Sequence, residues 1–206
     1  MPGLEPNGVP QNLKGTVLPF NYNDIDGLTN LIAQNDIGVI MMEVSRSVGP
    51  KDGFLQKVRD IATKNGIVLM FDECTSGFRQ TFGGLHKMYG IEPDMAMFGK
   101  ALGNGYAITA IIGRREIMEA AQTTFISSTF WTERIGPTAA LATLEVMSRT
   151  ESWSQITKTG EAITQYTQTL FVIPTKEGSH NTLTQNTHTL FVQKKKETRD
   201  TELAKQ

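Results

Sequence analysis

The sequence predicts an α/β fold organised around a mostly parallel sheet. Three observations predict it. Short apolar runs without alternation, at residues 37–42 and 67–71, suit strands covered on both faces. Segments with helical spacing lie between and beside them. Polar residues capable of chemistry stand immediately after these runs, at Glu43 and Asp72, and just beyond a further apolar run at 95–98, at Lys100.

In chain order, residues 1–23 read as extended or loop without core, because Pro2, Pro6, Pro10 and Pro19 interrupt hydrogen bonding among several glycines. Asp24 is placed to cap a helix in which Ile25, Leu28, Leu31 and Ile32 share a face up to about Gln34. The run 37–42 then forms a strand ending at Glu43. Phe54, Leu55, Val58, Ile61 and Ala62 give a helix over 53–65 that Gly66 stops. The run 67–71 is the next strand, so the helix before it is a crossover between parallel neighbours. Residues 95–98 and 107–112 are read as two more strands, separated by the glycine-rich segment around Lys100. Ala139, Leu141, Ala142, Leu144 and Met147 return to helical spacing over 136–148. From about Gln165 the composition turns to Thr, Gln, Asn, Lys and Ser, which predicts a weakly structured tail over 166–206 beyond a principal unit of 1–165. The tail holds a near-repeat, 167–172 against 187–192, too few copies for a solenoid.

Bulk properties narrow the partners. Among 206 residues, 20 basic and 21 acidic side chains nearly cancel, which argues against nucleic acid or a membrane surface and for a small-molecule partner. Cys74 is the sole cysteine, so no intramolecular disulfide is available and a thiolate zinc site is disfavoured. The three histidines have no metal-ligand spacing. No membrane-length apolar run and no leader-like start occur, and the expectation is a cytoplasmic protein.

In open α/β sheets, ligands sit beyond the carboxyl ends of the strands. An acid after one strand and a lysine after the next suit a flat aldehyde with a pyridine nitrogen. The carboxylate keeps the ring protonated as an electron sink, and the amine condenses with the aldehyde. The glycine-rich segment 99–105 does not fit G-x-x-x-x-G-K-[ST], so a nucleotide-binding reading is weak.

Phe71-Asp72-Glu73-Cys74-Thr75-Ser76-Gly77-Phe78-Arg79, followed by Pro93-Asp94-Met95-Ala96-Met97-Phe98-Gly99-Lys100-Ala101-Leu102-Gly103-Asn104-Gly105, resembles the signature of class III aminotransferases, the glutamate-1-semialdehyde aminomutase-like subgroup in particular. Asp72 and Lys100 are 28 positions apart, similar to the family. The resemblance covers about residues 7–165. It implies the central part of the large domain of a fold-type I enzyme, with pyridoxal 5'-phosphate as cofactor and amino-group transfer on a small amino acid, keto acid or amino-aldehyde.

By this resemblance Lys100 is the catalytic lysine and Asp72 meets the pyridine nitrogen. Cys74 packs on the ring, Thr75 approaches the ring hydroxyl, and Glu43 matches an acid at a neighbouring strand end, although Val44 stands where the family has proline. Thr129 matches a threonine that reaches the phosphate of a neighbouring subunit's cofactor, which implies a homodimer. Arg79 is expected to serve a structural ion pair. Complete family members resemble a considerably longer chain with a preceding phosphate loop, so this chain is expected to be a fragment of reduced activity. A non-catalytic relic or regulatory module of the same fold is the alternative.

Overall fold

The computed structural model describes residues 5, 7–46, 48–127, 129–130, 132–170 and 189–194. Its centre is a six-stranded sheet. In chain order the elements are β1 (Val17–Asn21), α1 (Ile25–Gln34), β2 (Ile37–Met42), α2 (Phe54–Lys64), β3 (Val68–Asp72), β4 (Met95–Phe98), β5 (Ala110–Gly113), α3 (Arg115–Met118), α4 (Ile135–Thr150), α5 (Ser152–Leu170) and β6 (Thr189–Lys194). Across the sheet the order is β1-β6-β2-β3-β4-β5. β2, β3 and β4 are parallel neighbours, while β6 pairs antiparallel with both β1 and β2, and β5 pairs antiparallel with β4. β1 therefore points the same way as β2, β3 and β4.

The predicted cap at Asp24 is present, its Oδ1 accepting from the Gly27 N–H at 2.8 Å. That bond satisfies one of the orphan donors of the first turn of α1. In α2, Phe54, Leu55, Val58 and Ala62 are buried, giving the expected stripe at helical spacing. They pack with Ile37, Ile40 and Met42 of β2 and with Leu69 and Phe71 of β3 in the main core. A second cluster joins Ala96 and Phe98 of β4 to Leu102 and to Ala140 of α4, with Phe78, Ile108, Ala110 and Leu144 around it. β3 and β4 are joined by a parallel ladder, so whatever follows each strand emerges at the same end of the sheet.

Three expectations need correction. Residues 17–21, read as extended or loop without core, are the extended strand β1, but Phe20 is buried in the core at 5% exposure. Pro19 is tolerated because β1 is an edge strand with a ladder on one side only. Within the run 107–112, only 110–112 join strand β5. The tail supplies β6, inserted between β1 and β2, with Val192 fully buried in the main core. A buried valine contributes roughly 1.5–3 kcal/mol, and β6 is the strand through which β1 is joined to the rest of the sheet. The first copy of the near-repeat, by contrast, begins inside α5, so the same short sequence ends a helix in one place and enters a strand in the other.

Candidate active site

β3 ends at Asp72 and β4 ends at Phe98, and the two are parallel with Asp72 opposite Met97. Asp72 and Lys100 are thus delivered to the same end of the sheet, as expected from their positions after buried runs. The Asp72 Oδ1 accepts from the Cys74 N–H at 2.9 Å, which folds the chain back just past the strand. Glu43, immediately after Met42 of β2, stands at that end as well and is half-buried. Its carboxylate is 3.4 Å from Arg46.

Lys100 follows Gly99 directly, and its φ is +42°. A side-chain-bearing residue held in the left-handed region costs roughly 1–3 kcal/mol, a strain found repeatedly at functional sites. Phe78, at φ +61°, is a second such residue in the neighbouring segment. The Lys100 amine donates to the Thr75 Oγ1 at 2.5 Å. Cys74 is close enough to feel the charges of Asp72, Lys100 and Glu43. Burial first, then the negative charge of Asp72, pushes its thiol above the ordinary range, with Lys100 partly opposing. The sulfur is therefore kept protonated, which suits packing against Gly99 more than nucleophilic attack.

The turn that carries Asp72, Cys74 and Thr75 is braced by a residue that sequence reasoning passed over. Glu73 is fully buried. Its Oε1 accepts from the His86 N–H at 3.0 Å and lies 2.8 Å from the His86 Nδ1, while the Ser76 hydroxyl donates to its Oε2. Burial raises the Glu73 carboxyl pKa, but these hydrogen bonds, with one from the Leu85 backbone, outweigh it and hold the group below the ordinary range. Gly77 lies against the same turn. A Cβ there would fall 2.7 Å from both the Glu73 carbonyl oxygen and the Phe98 ring, so close approach alone requires glycine. Tyr22 supports the neighbouring strand end: its hydroxyl donates to the Val44 carbonyl, and burial, reinforced by Tyr89, raises its pKa. No spacing rule joins Glu73 to His86 or Tyr22 to Val44, which is why the sequence did not disclose them.

Thr129 is exposed, and no hydrogen bond joins it to Lys100. Arg79, expected to form an ion pair, is exposed and makes none among the described residues. Among the described residues no cluster of three or more His, Cys, Asp or Glu could hold a metal ion, and no helix is long and apolar enough to cross a membrane.

Residues 22–171 match the family described as aminotransferase class-III, which is well over half of the chain. The chain belongs to the class-III aminotransferases. Its sequence is 39% identical over 151 residues to a 3-aminobutyryl-CoA aminotransferase of Cloacimonas acidaminovorans, covering 69% of this chain and 36% of that protein. It is 38% identical over 151 residues to a glutamate-1-semialdehyde 2,1-aminomutase of Citrifermentans bemidjiense, covering 69% and 35% respectively. Among solved structures, the fold is similar to the FumI protein of Sphingopyxis sp. MTA144 in its PLP internal aldimine form. The TM-score is 0.57 at 27% identity, over 62% of this chain and 33% of that one. This class-III chain spans about a third of the length of the relatives it matches. The family match covers the segment from Tyr22 through Asp72 and Lys100 into α5, which is the part of the chain that builds the site.

Proposed function

We propose that this chain takes part in pyridoxal-phosphate-dependent amino-group transfer on a small amino acid, keto acid or amino-aldehyde, with Lys100 as the reacting amine. The observation that carries the reading is the pairing of the Lys100 amine with Thr75, at the sheet end where Asp72 also emerges. The residues present fit the group: an acid for a pyridine nitrogen, an amine for an aldehyde, and a hydroxyl beside that amine. The cofactor, when bound, supplies an electron sink.

The chain's own residues do the rest. Asp72, with its carboxylate accepting from the Cys74 N–H and hydrogen-bonded to the Cys74 thiol, is the acid that would receive a ring N–H. Thr75 holds the amine in one direction, and Cys74 and Gly99 offer a close-packed floor. Lys100, once its amine is released, is placed to move a proton at the substrate carbon. Glu43 contributes negative charge at the rim and is assigned a supporting role only.

We further assign Thr129 to the phosphate of a partner subunit's cofactor in a homodimer. The support is its exposure together with that of Phe125 and Phe130, 96% and 68% exposed and near it in sequence, an apolar display that isolated soluble domains seldom carry without a covering partner. Sedimentation of the purified chain is expected to give a dimer mass, and a monomer at micromolar concentration would remove this assignment. Residues 1–165 remain the proposed cofactor-binding unit. Within the polar stretch that follows, β6 serves that unit's sheet.

Pyridoxal phosphate added to the purified chain, trapped with borohydride and mapped by peptide mass, is expected to mark Lys100 above all other lysines. Lys100→Ala should leave only scattered surface label. Label spread evenly over the lysines of the unsubstituted chain would overturn the reading. Turnover by this chain alone is expected to be slow, because labelling needs an amine and an aldehyde whereas turnover needs every reacting group fixed in place.

A further inference from the structure

The Lys100 amine takes its direction from Thr75, and what holds Thr75 lies deeper in the molecule. The turn that follows β3 is closed around Glu73. Its N–H donates to the Met97 carbonyl of β4, its carbonyl accepts from the Gly77 N–H, and the Phe78 N–H donates to the Gly83 carbonyl, each at 2.8 Å. Thr75 is thus carried on a loop tied at both ends. One tie is to β4, the strand that delivers Lys100.

Between those ends the turn rests on the Glu73 side chain. The Ser76 hydroxyl, next to Thr75 in sequence, donates to Oε2. Beneath it, Oε1 is met twice by His86, through its backbone N–H at 3.0 Å and its ring Nδ1 at 2.8 Å. Glu73 is held below the ordinary carboxylate range and is therefore an anion, so the ring nitrogen facing it is the donor and carries the proton. Gly84 is shaped to this contact. A Cβ there would fall 2.3 Å from the His86 Cε1, 2.4 Å from its Nδ1 and 2.8 Å from the Glu73 Oε1. The ring and the carboxylate are both buried and cannot swing aside, so the pair requires glycine beside it.

We propose that His86 is a positioning residue for the reacting amine: acting through Glu73 and Ser76, it fixes the turn on which Thr75 directs Lys100. The inference rests on the amino-transfer reading above and deepens it by extending the machinery one layer below the groups that meet the cofactor. His86 needs no contact with Lys100 to do this, because the turn is a short closed unit with little freedom to absorb a shift.

The test uses the full chain and two readouts. One is the share of borohydride-trapped pyridoxal phosphate found at Lys100. The other is trace acetylation by acetic anhydride, which reports the Lys100 amine against the other lysines and needs no cofactor. His86→Leu, which keeps the backbone N–H but loses the ring donor, is expected to lower the Lys100 share of pyridoxal label about 10-fold and to shift the acetylation of Lys100 alone. His86→Asn, with a donor near the place of Nδ1, should restore most of both. Asp94→Asn is the control for lost stability, since it weakens contacts at the opposite end of the sheet, and should label as the parent does. Should His86→Leu fail to fold, Ser76→Ala removes only the hydroxyl on Oε2 and should lower the Lys100 share about 3-fold. Parent-like labelling in the folded variant, or an equal loss in Asp94→Asn, overturns the proposal. Label that prefers Lys100 but ignores His86 sinks this inference alone. Acetylation of Lys100 that follows His86, with pyridoxal phosphate showing no preference for Lys100, removes the amino-transfer reading and leaves the positioning of the amine standing.

Discussion

Glu73→Ala is expected to lower the unfolding free energy by about 3 kcal/mol, because it strips a buried acceptor from the buried N–H and ring of His86. The Glu73 carboxylate is fully buried and is met by the Ser76 hydroxyl, the His86 N–H and the His86 ring. Alanine would leave the two His86 groups without their partner beside Phe71, whose ring centroid is 5.9 Å from that of His86, while the half-buried Ser76 hydroxyl can turn to water. Glu73→Gln keeps one oxygen as acceptor but turns an amide donor towards groups that are mostly donors themselves, and should lose somewhat less. Urea unfolding checks both: the midpoint should fall while the slope stays that of the parent. A loss below about 1 kcal/mol for the alanine variant would show that the network is not a net contributor. The same variant connects stability to function. Asp72 and Cys74 flank Glu73 in sequence, so a loosened turn should also blunt the selective labelling of Lys100.

How much of this was legible beforehand depends on whether the controlling interaction is local. Strand β2, helix α2, strand β3 and the cap at Asp24 are written in short-range pattern: continuous apolar runs, a helical stripe, an acid before the first turn. Placing Asp72 and Lys100 at strand ends followed from those runs, and the parallel pairing of β3 with β4 then brought them to one side. β6 was not legible, because Leu190, Phe191 and Val192 are three apolar residues in a polar stretch, and the same triplet begins at Leu170 at the end of α5. What makes the second copy a strand is the vacancy between β1 and β2, a tertiary demand that no local window contains. β1 was hidden differently. Pro19 argues against a central strand but not against an edge, and edge position is a property of the assembled sheet. At the site, the bond from Lys100 to Thr75 spans 25 residues and that from His86 to Glu73 spans 13. Such pairs follow from the fold and cannot precede it.

At the opposite end of the sheet, Asp94→Ala is expected to cost about 2–3 kcal/mol at neutral pH, and the acid limb of the stability profile should report the same group. Asp94 stands just before β4 and is 6% exposed. Its Oδ2 accepts from the Leu69 N–H at 2.8 Å and from Arg59 at 2.9 Å, and its Oδ1 from Arg114 at 3.2 Å. The first two contacts matter most. The Leu69 N–H is buried and would be orphaned, and Arg59 ties α2 to the start of β4. Arg114 is 66% exposed, so water replaces its share cheaply. Burial raises the Asp94 carboxyl pKa, but the Leu69 N–H and the two arginines outweigh it and hold the group below its ordinary 3.8. A carboxyl depressed by folding stabilises the native state above its unfolded pKa, and that contribution is lost as pH falls through the folded value. Glu73, held below its ordinary 4.5, acts in the same direction. Stability of the parent chain should therefore decline as pH drops from about 4.5, and Asp94→Asn, already weakened at pH 7, should decline less steeply over that interval. Urea midpoints at a series of pH values check this, and parallel acid limbs for the parent and Asp94→Asn would show that the Asp94 contacts do not couple proton binding to folding.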